Sequence, residues 1–172
     1  MIVAERPMDE IDRKLIELLQ EDATLSVAQM ADRVALSPTP CWRRIQKLEA
    51  AGVIRRRVAL VDPESIGMGL SVFVAVEAGA HTPEWLESFS RTLGAMPEVM
   101  EIYRMAGEVD YMLRVVVSDM AAFDAFYKRL IAIAPLKNVT SRFSMERIKY
   151  TTAYPLHGSA FRDRRPVDEV QE

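Results

Sequence analysis

The chain has 172 residues, 49% of them hydrophobic and 27% charged, with a formal charge of −3. That composition can bury a core and suits one large domain or two small ones. It contains no run of about 18 apolar residues and no apolar leader in "MIVAERPMDEIDRK", so no membrane partner is expected and the cytoplasm is the natural compartment. One cysteine, Cys41, excludes an internal disulfide and any Cys-rich metal site.

A net negative charge argues against a nucleic-acid partner, but the average hides an asymmetry. From Arg33 to Arg57 stand seven basic residues (Arg33, Arg43, Arg44, Lys47, Arg55, Arg56 and Arg57) and one acid, Glu49. That window carries +6 and leaves −9 for the rest of the chain. A local patch decides what docks on it.

In "MDEIDRKLIELLQ", Ile11, Leu15, Leu18 and Leu19 fall on one helical face, with Asp9 as N-cap. "LSVAQMADRVAL" predicts a short second helix opened by a Ser26/Gln29 capping box, with Val27, Met30, Ala31 and Val34 on its apolar face. "LSPTPCWRRIQKLEAAG" predicts a third. Ser37 can cap it, and Pro38 falls at the first position, where its missing N–H costs nothing. Pro40 is still inside the first turn. Gly52 is the expected stop. At 100° per residue Cys41, Ile45 and Leu48 lie within about 60° of one another and face a core. Thr39, Arg43, Gln46, Ala50 and, at the edge, Lys47 lie nearly opposite, and Arg44 and Trp42 flank the buried stripe. "GVIRRRVALV" then reads as a short extended pair, or wing, before a turn at Asp62-Pro63.

The second half alternates between strand and helix patterns. Strands are expected at "LSVFVAVEA", "EVMEIYRMA", "DYMLRVVV" and "NVTSRFSMERIKY". Helices are expected at "TPEWLESFSRTL", capped by Thr82, and at "DMAAFDAFYKRLIAIA", with Phe123, Phe126, Tyr127, Leu130 and Ile131 inward. The order βαββαβ is the split, ferredoxin-like pattern. The predicted fold class is therefore α+β, an N-terminal winged helix-turn-helix followed by a ferredoxin-like domain. The expected division is 1–61 for DNA binding, 62–69 as linker, 70–156 as the second domain and 157–172 as a polar tail.

The third helix and the segment after it give the candidate interface with double-stranded DNA: Ser37, Thr39, Pro40, Arg43, Arg44 and Lys47 on the helix, then Arg55 and Arg57. Arginine can donate two hydrogen bonds to guanine O6 and N7, and small residues at a helix start let the backbone approach a groove. Arg44, beside the buried stripe, suits a structural or phosphate role better than base reading. Successive residues of an extended chain alternate sides, so only one or two of Arg55, Arg56 and Arg57 can meet phosphates. Cys41 reads as a small core residue rather than a redox sensor. His81 and His157 have no metal-ligand spacing, and no nucleophile–base arrangement or phosphate-cradling loop is visible, so neither enzyme activity nor a cofactor is expected.

The ordered motifs "LSPTPCWRRIQKLEAAGVI", "DPESIG", "PEVMEIYRMAGEVDYMLRVVV" and "IKYTTAYPL" together resemble the leucine-responsive/asparagine-responsive (Lrp/AsnC) transcription regulators, from about Met8 to Leu156. The resemblance implies a DNA-binding first domain and a second domain that pairs across its sheet into a homodimer. Dimers would assemble further, to a tetramer or octamer, with an amino-acid effector at the interface between dimers. It also implies an effector loop at Gly107, Asp110 and Tyr111, with Met105 before it, and an opposing segment at Val139, Thr140 and Ser141, next to Arg142. By turn chemistry alone, Gly107 to Asp110 is simply a hairpin. Two rival readings remain: a small enzyme or ligand-binding domain built on the ferredoxin-like half, and an architectural nucleoid protein without an effector.

Overall fold

The computed structural model describes residues 8–79 and 82–156. His81, His157 and the polar tail lie outside them. The chain divides into two compact units: residues 8–59 with 149–156, and residues 60–148.

The first unit holds α1 (Glu10–Glu21), α2 (Val27–Arg33) and α3 (Pro38–Ala50). Helix α1 opens on a reciprocal capping box, in which Asp9 accepts from the Asp12 N–H at 3.0 Å and the Asp12 carboxylate accepts from the Asp9 N–H. Ser26 and Gln29 form the same device on α2. These boxes satisfy N–H groups that the first turn of a helix leaves without partners. Leu15, Met30, Ala31, Cys41 and Ile45 converge between the three helices as a core. The turn from α2 into α3 is made at Ala35, the one non-glycine residue with positive φ (54°) among those described.

Helix α3 ends as its glycine requires. Gly52 has φ +69°, its N–H bonds to the Glu49 carbonyl, and the Val53 N–H bonds to the Leu48 carbonyl at 3.0 Å. This Schellman closure depends on the left-handed conformation that glycine adopts without strain. The expected wing does not follow. Residues 53–62 form no ladder, and Val58, Leu60 and Val61 are exposed. A hairpin needs a turn between its strands, and the segment offers none before Asp62-Pro63.

The second unit has β1 (Leu70–Ala78), α4 (Pro83–Gly94), β2 (Val99–Arg104), β3 (Tyr111–Val117), α5 (Met120–Ile133) and β4 (Leu136–Phe143). The sheet runs β2-β3-β1-β4 with every neighbouring pair antiparallel, the expected ferredoxin-like topology. Val72, Val74 and Val76 of β1 and Tyr111, Leu113, Val115 and Val117 of β3 pack against Phe89 and Leu93 of α4 and Phe123, Phe126 and Leu130 of α5. Ile131 departs from its expected inward position and is 47% exposed. The Phe123–Phe126–Leu130 stripe already fills the face, and Ile131 falls on its flank. The last strand also stops at Phe143, earlier than the sequence pattern suggests.

Among the described residues, the other face of the sheet carries no helix of its own unit. By register it presents Phe73, Ala75, Glu101, Tyr103, Met112, Arg114, Thr140 and Arg142. Phe73 is 41% exposed and lies opposite both Arg114 and Arg142. Glu101 accepts from Arg114 Nε at 2.8 Å and from the Tyr103 hydroxyl at 2.7 Å. The Arg114 hydrogen bond chiefly holds its carboxyl below the ordinary glutamate range, against a smaller effect of burial.

Candidate nucleic-acid interface and effector loop

Helix α3 is fixed on one face and open on the other. Cys41, Ile45 and Leu48 are buried, whereas Thr39, Pro40, Arg43, Gln46 and Lys47 are exposed. Burial raises the Cys41 thiol above its ordinary value, which keeps it protonated and suits a core role. Arg43, Lys47, Arg55 and Arg56 are exposed and have no ion-pair partner among the described residues. They form a run of uncompensated positive charge along α3 and the segment after it.

Two members of the sequence-derived set are already engaged. Arg44 Nη1 donates to both oxygens of Asp9 at 2.9 and 2.8 Å and to Asp12 Oδ1 at 2.8 Å, pinning α3 to the start of α1. These contacts give Arg44 a structural role on α3. The hydrogen bonds to Asp12 and Asp9 also raise its already high pKa. Arg57 pairs with Glu49 at 2.9 Å, and Glu49 also accepts from Gln46. That pair is exposed and can open at little cost.

The start of α3 is also less of an anion site than the sequence suggested. Ser37 is the N-cap, but its side chain makes no capping hydrogen bond. A capping serine accepts from the second or third helical N–H, and the third residue here, Pro40, has none. With Pro38 also lacking an N–H and the Cys41 N–H bonded to the Ser37 carbonyl, only Thr39 offers a backbone donor in the first turn.

The effector residues do not form one pocket within the chain. Gly107 lies in the β2–β3 hairpin with φ +120°. Asp110 ties that hairpin to β1: its N–H donates to the Val76 carbonyl at 3.0 Å, its carbonyl accepts from the Met105 N–H, and its Oδ2 accepts from the Ala78 N–H at 2.7 Å. Tyr111 is buried, its ring centroid 5.2 Å from that of Phe89 and 6.5 Å from that of Trp85. Val139, Thr140 and Ser141 stand on β4, across β1 from this hairpin. The two segments are thus two strand spacings apart, about 10 Å. Register also splits the second segment. Val139 and Ser141, opposite buried Val76 and Val74, face the helices, while Thr140, opposite Ala75, faces the open side.

Sequence comparison decides what this arrangement belongs to. Residues 8–49 match the AsnC-type helix-turn-helix domain and residues 71–154 match the Lrp/AsnC ligand binding domain. The chain belongs to the Lrp/AsnC family. It is 51% identical over 150 residues to the Escherichia coli DNA-binding transcriptional activator DecR, covering 87% of this chain and 99% of that one. Among solved structures, an AsnC family transcriptional regulator from Agrobacterium tumefaciens is 58% identical with a TM-score of 0.84, over 87% of this chain and 97% of its own. A transcriptional regulator from Neisseria meningitidis, solved in complex with L-Met, is 36% identical with a TM-score of 0.83 over the same shares. As an Lrp/AsnC protein, the chain is a transcription regulator with a DNA-binding helix-turn-helix and a ligand-binding domain. No helix among the described residues is long and apolar enough to cross a membrane.

Proposed function

We propose that the protein is a non-catalytic, cytoplasmic regulator that reads DNA through α3 and responds to a neutral or apolar amino acid. The observation that carries this reading is the two-faced α3: one side locked into the core, the other exposing Thr39, Arg43 and Lys47 with no acid paired to either cation. Arg43 sits mid-helix and reads bases, guanine by preference. Lys47, Arg55 and Arg56 meet phosphates, Thr39 approaches the backbone at the helix start, and Arg57 joins when its pair with Glu49 opens.

A homodimer forms across the open sheet face, where Phe73 and Tyr103 would otherwise remain in water. It places two copies of α3 in successive major grooves about 34 Å apart on a roughly palindromic site. The effector site is completed between chains in a larger assembly, a tetramer or octamer, with the Met105–Asp110 hairpin of one chain meeting a different chain. The separation of the hairpin from Val139–Ser141 within one chain supports a shared site. Asp110 positions the hairpin as well as facing the ligand. The L-Met bound by the Neisseria regulator supports an amino acid of this class. The effector acts only as far as it binds one assembly or DNA-bound state more tightly than another.

The test is fluorescence anisotropy on a fragment from upstream of the protein's own gene and on a random fragment, with and without the twenty amino acids. Tighter binding to the first fragment, shifted by the mixture, is the expected result. Equal binding to both fragments with no shift favours an architectural protein instead.

A further inference from the structure

The sequence places residues 149–156 at the end of the second domain, yet in the fold they belong to the first unit. Their attachment is specific. The Gln20 side chain of α1 accepts from the Tyr154 N–H at 2.8 Å and donates to the Tyr154 carbonyl at 3.2 Å, across 134 residues of sequence. A side-chain amide thereby satisfies both backbone groups of one residue, as a neighbouring strand would. Two residues on, Leu156 is 8% exposed and closes a cluster with Ile16 of α1 and Leu48 of α3, against which Met8 and Ile54 pack.

Leu48 is the last buried residue of α3, and its carbonyl accepts the Val53 and Ile54 N–H groups that close the helix. Ile54 in turn begins the run Arg55-Arg56-Arg57. The strap thus seats the point from which both Lys47, on the last turn of α3, and the following arginines are aimed.

We infer that the strap Lys149–Leu156 is a positioning element of the DNA-reading unit, holding the end of α3 and the basic segment in register with each other through Gln20 and Leu156. DNA binding then depends on chain that follows the second compact unit, although the residues matching the ligand binding domain run on to 154. That unit is covalently joined to the reading unit at both of its ends, at Leu60 and at Ile148, so a change within it can reach α3 by a route other than the linker. This rests on α3 being the reading helix, not on any effector.

The test compares full-length Leu156→Ala, Leu156→Met and Gln20→Ala with the parent, using a random-sequence DNA duplex at low salt as the probe. A chain lacking residues 158–172 serves as the control. Expected results are affinity reduced threefold or more in Leu156→Ala and Gln20→Ala, with oligomeric state unchanged. The shape-conserving Leu156→Met should stay within twofold of the parent, and so should the control. Amide exchange at Leu48–Ile54 should quicken in the two weakened variants, and exchange in β1 and β3 should not. Parent-like affinity or parent-like exchange in Leu156→Ala overturns the inference. A parent chain that binds no duplex overturns the proposed function instead, and exchange alone then decides the role of the strap.

Discussion

Arg44→Met separates fold from function on a single helix. The substitution keeps an aliphatic stem of similar reach and removes the guanidinium that bridges Asp9 and Asp12. One nitrogen makes three contacts of 2.8 to 2.9 Å, and with two hydrogens these amount to about two charge-assisted bonds. Hydrogen bonds to charged groups contribute about 1.5–3 kcal/mol each when buried. Here the three side chains are 26%, 28% and 16% exposed, which screens the pair towards the lower end. The two aspartates also keep their capping hydrogen bonds and their favourable place at the start of α1. The net loss should be about 2 kcal/mol. Urea unfolding followed by tryptophan fluorescence measures it, with Trp42 on α3 reporting the first unit and Trp85 the second. Affinity for DNA at a temperature where both proteins are folded should remain within about twofold, a difference under 0.5 kcal/mol. Unchanged stability together with a tenfold loss of DNA binding would refute the structural assignment and return Arg44 to the groove.

Ala35→Gly should stabilise the first unit by about 0.5–1 kcal/mol in the same assay, because alanine at φ 54° carries a strain that glycine does not. Phe73→Arg would set three arginines side by side across β3, β1 and β4, with Arg114 and Arg142 opposite, and sedimentation should show monomers. Since Glu101 titrates below the ordinary glutamate value of 4.5, its pairing with Arg114 stabilises the fold fully above that pH. The contribution is lost as pH falls through the lower folded value. Glu101→Gln should therefore flatten the acid limb of the stability profile and leave its slope near neutral pH unchanged.

How much of this the sequence disclosed depended on how far apart the partners are. The boxes at Asp9 and Ser26, the stop at Gly52 and the Cys41–Ile45–Leu48 stripe rest on contacts within one or two helical turns, so spacing reveals them. The βαββαβ order was legible because alternation and helical periodicity differ so clearly there. Ile16 was not assigned to the core, since the residue that covers it is Leu156, far along the chain. For Arg44 the sequence suggested a structural or phosphate role from its place beside the buried stripe, but not its partners Asp9 and Asp12, which lie at the start of another helix. Ala35 gave no sign of a left-handed turn because that position usually announces itself as glycine. Tyr111 and Asp110 were placed in the effector loop by resemblance. The fold adds that the tyrosine ring is in the core and that an aspartate oxygen is already bonded to β1.

The most direct test of the central claim is the salt dependence of DNA binding by the parent and by Arg43→Ala/Lys47→Ala. Four uncompensated cations per chain make about eight per dimer, so log affinity should fall against log salt with a slope of about −7 if all of them meet the duplex. The double variant should bind at least tenfold more weakly, lose preference for its own upstream fragment and show a slope shallower by about 2 to 4, with unfolding unchanged. A variant that keeps both the parent's slope and its preference would contradict the account, because the exposed face of α3 would then not be what touches DNA.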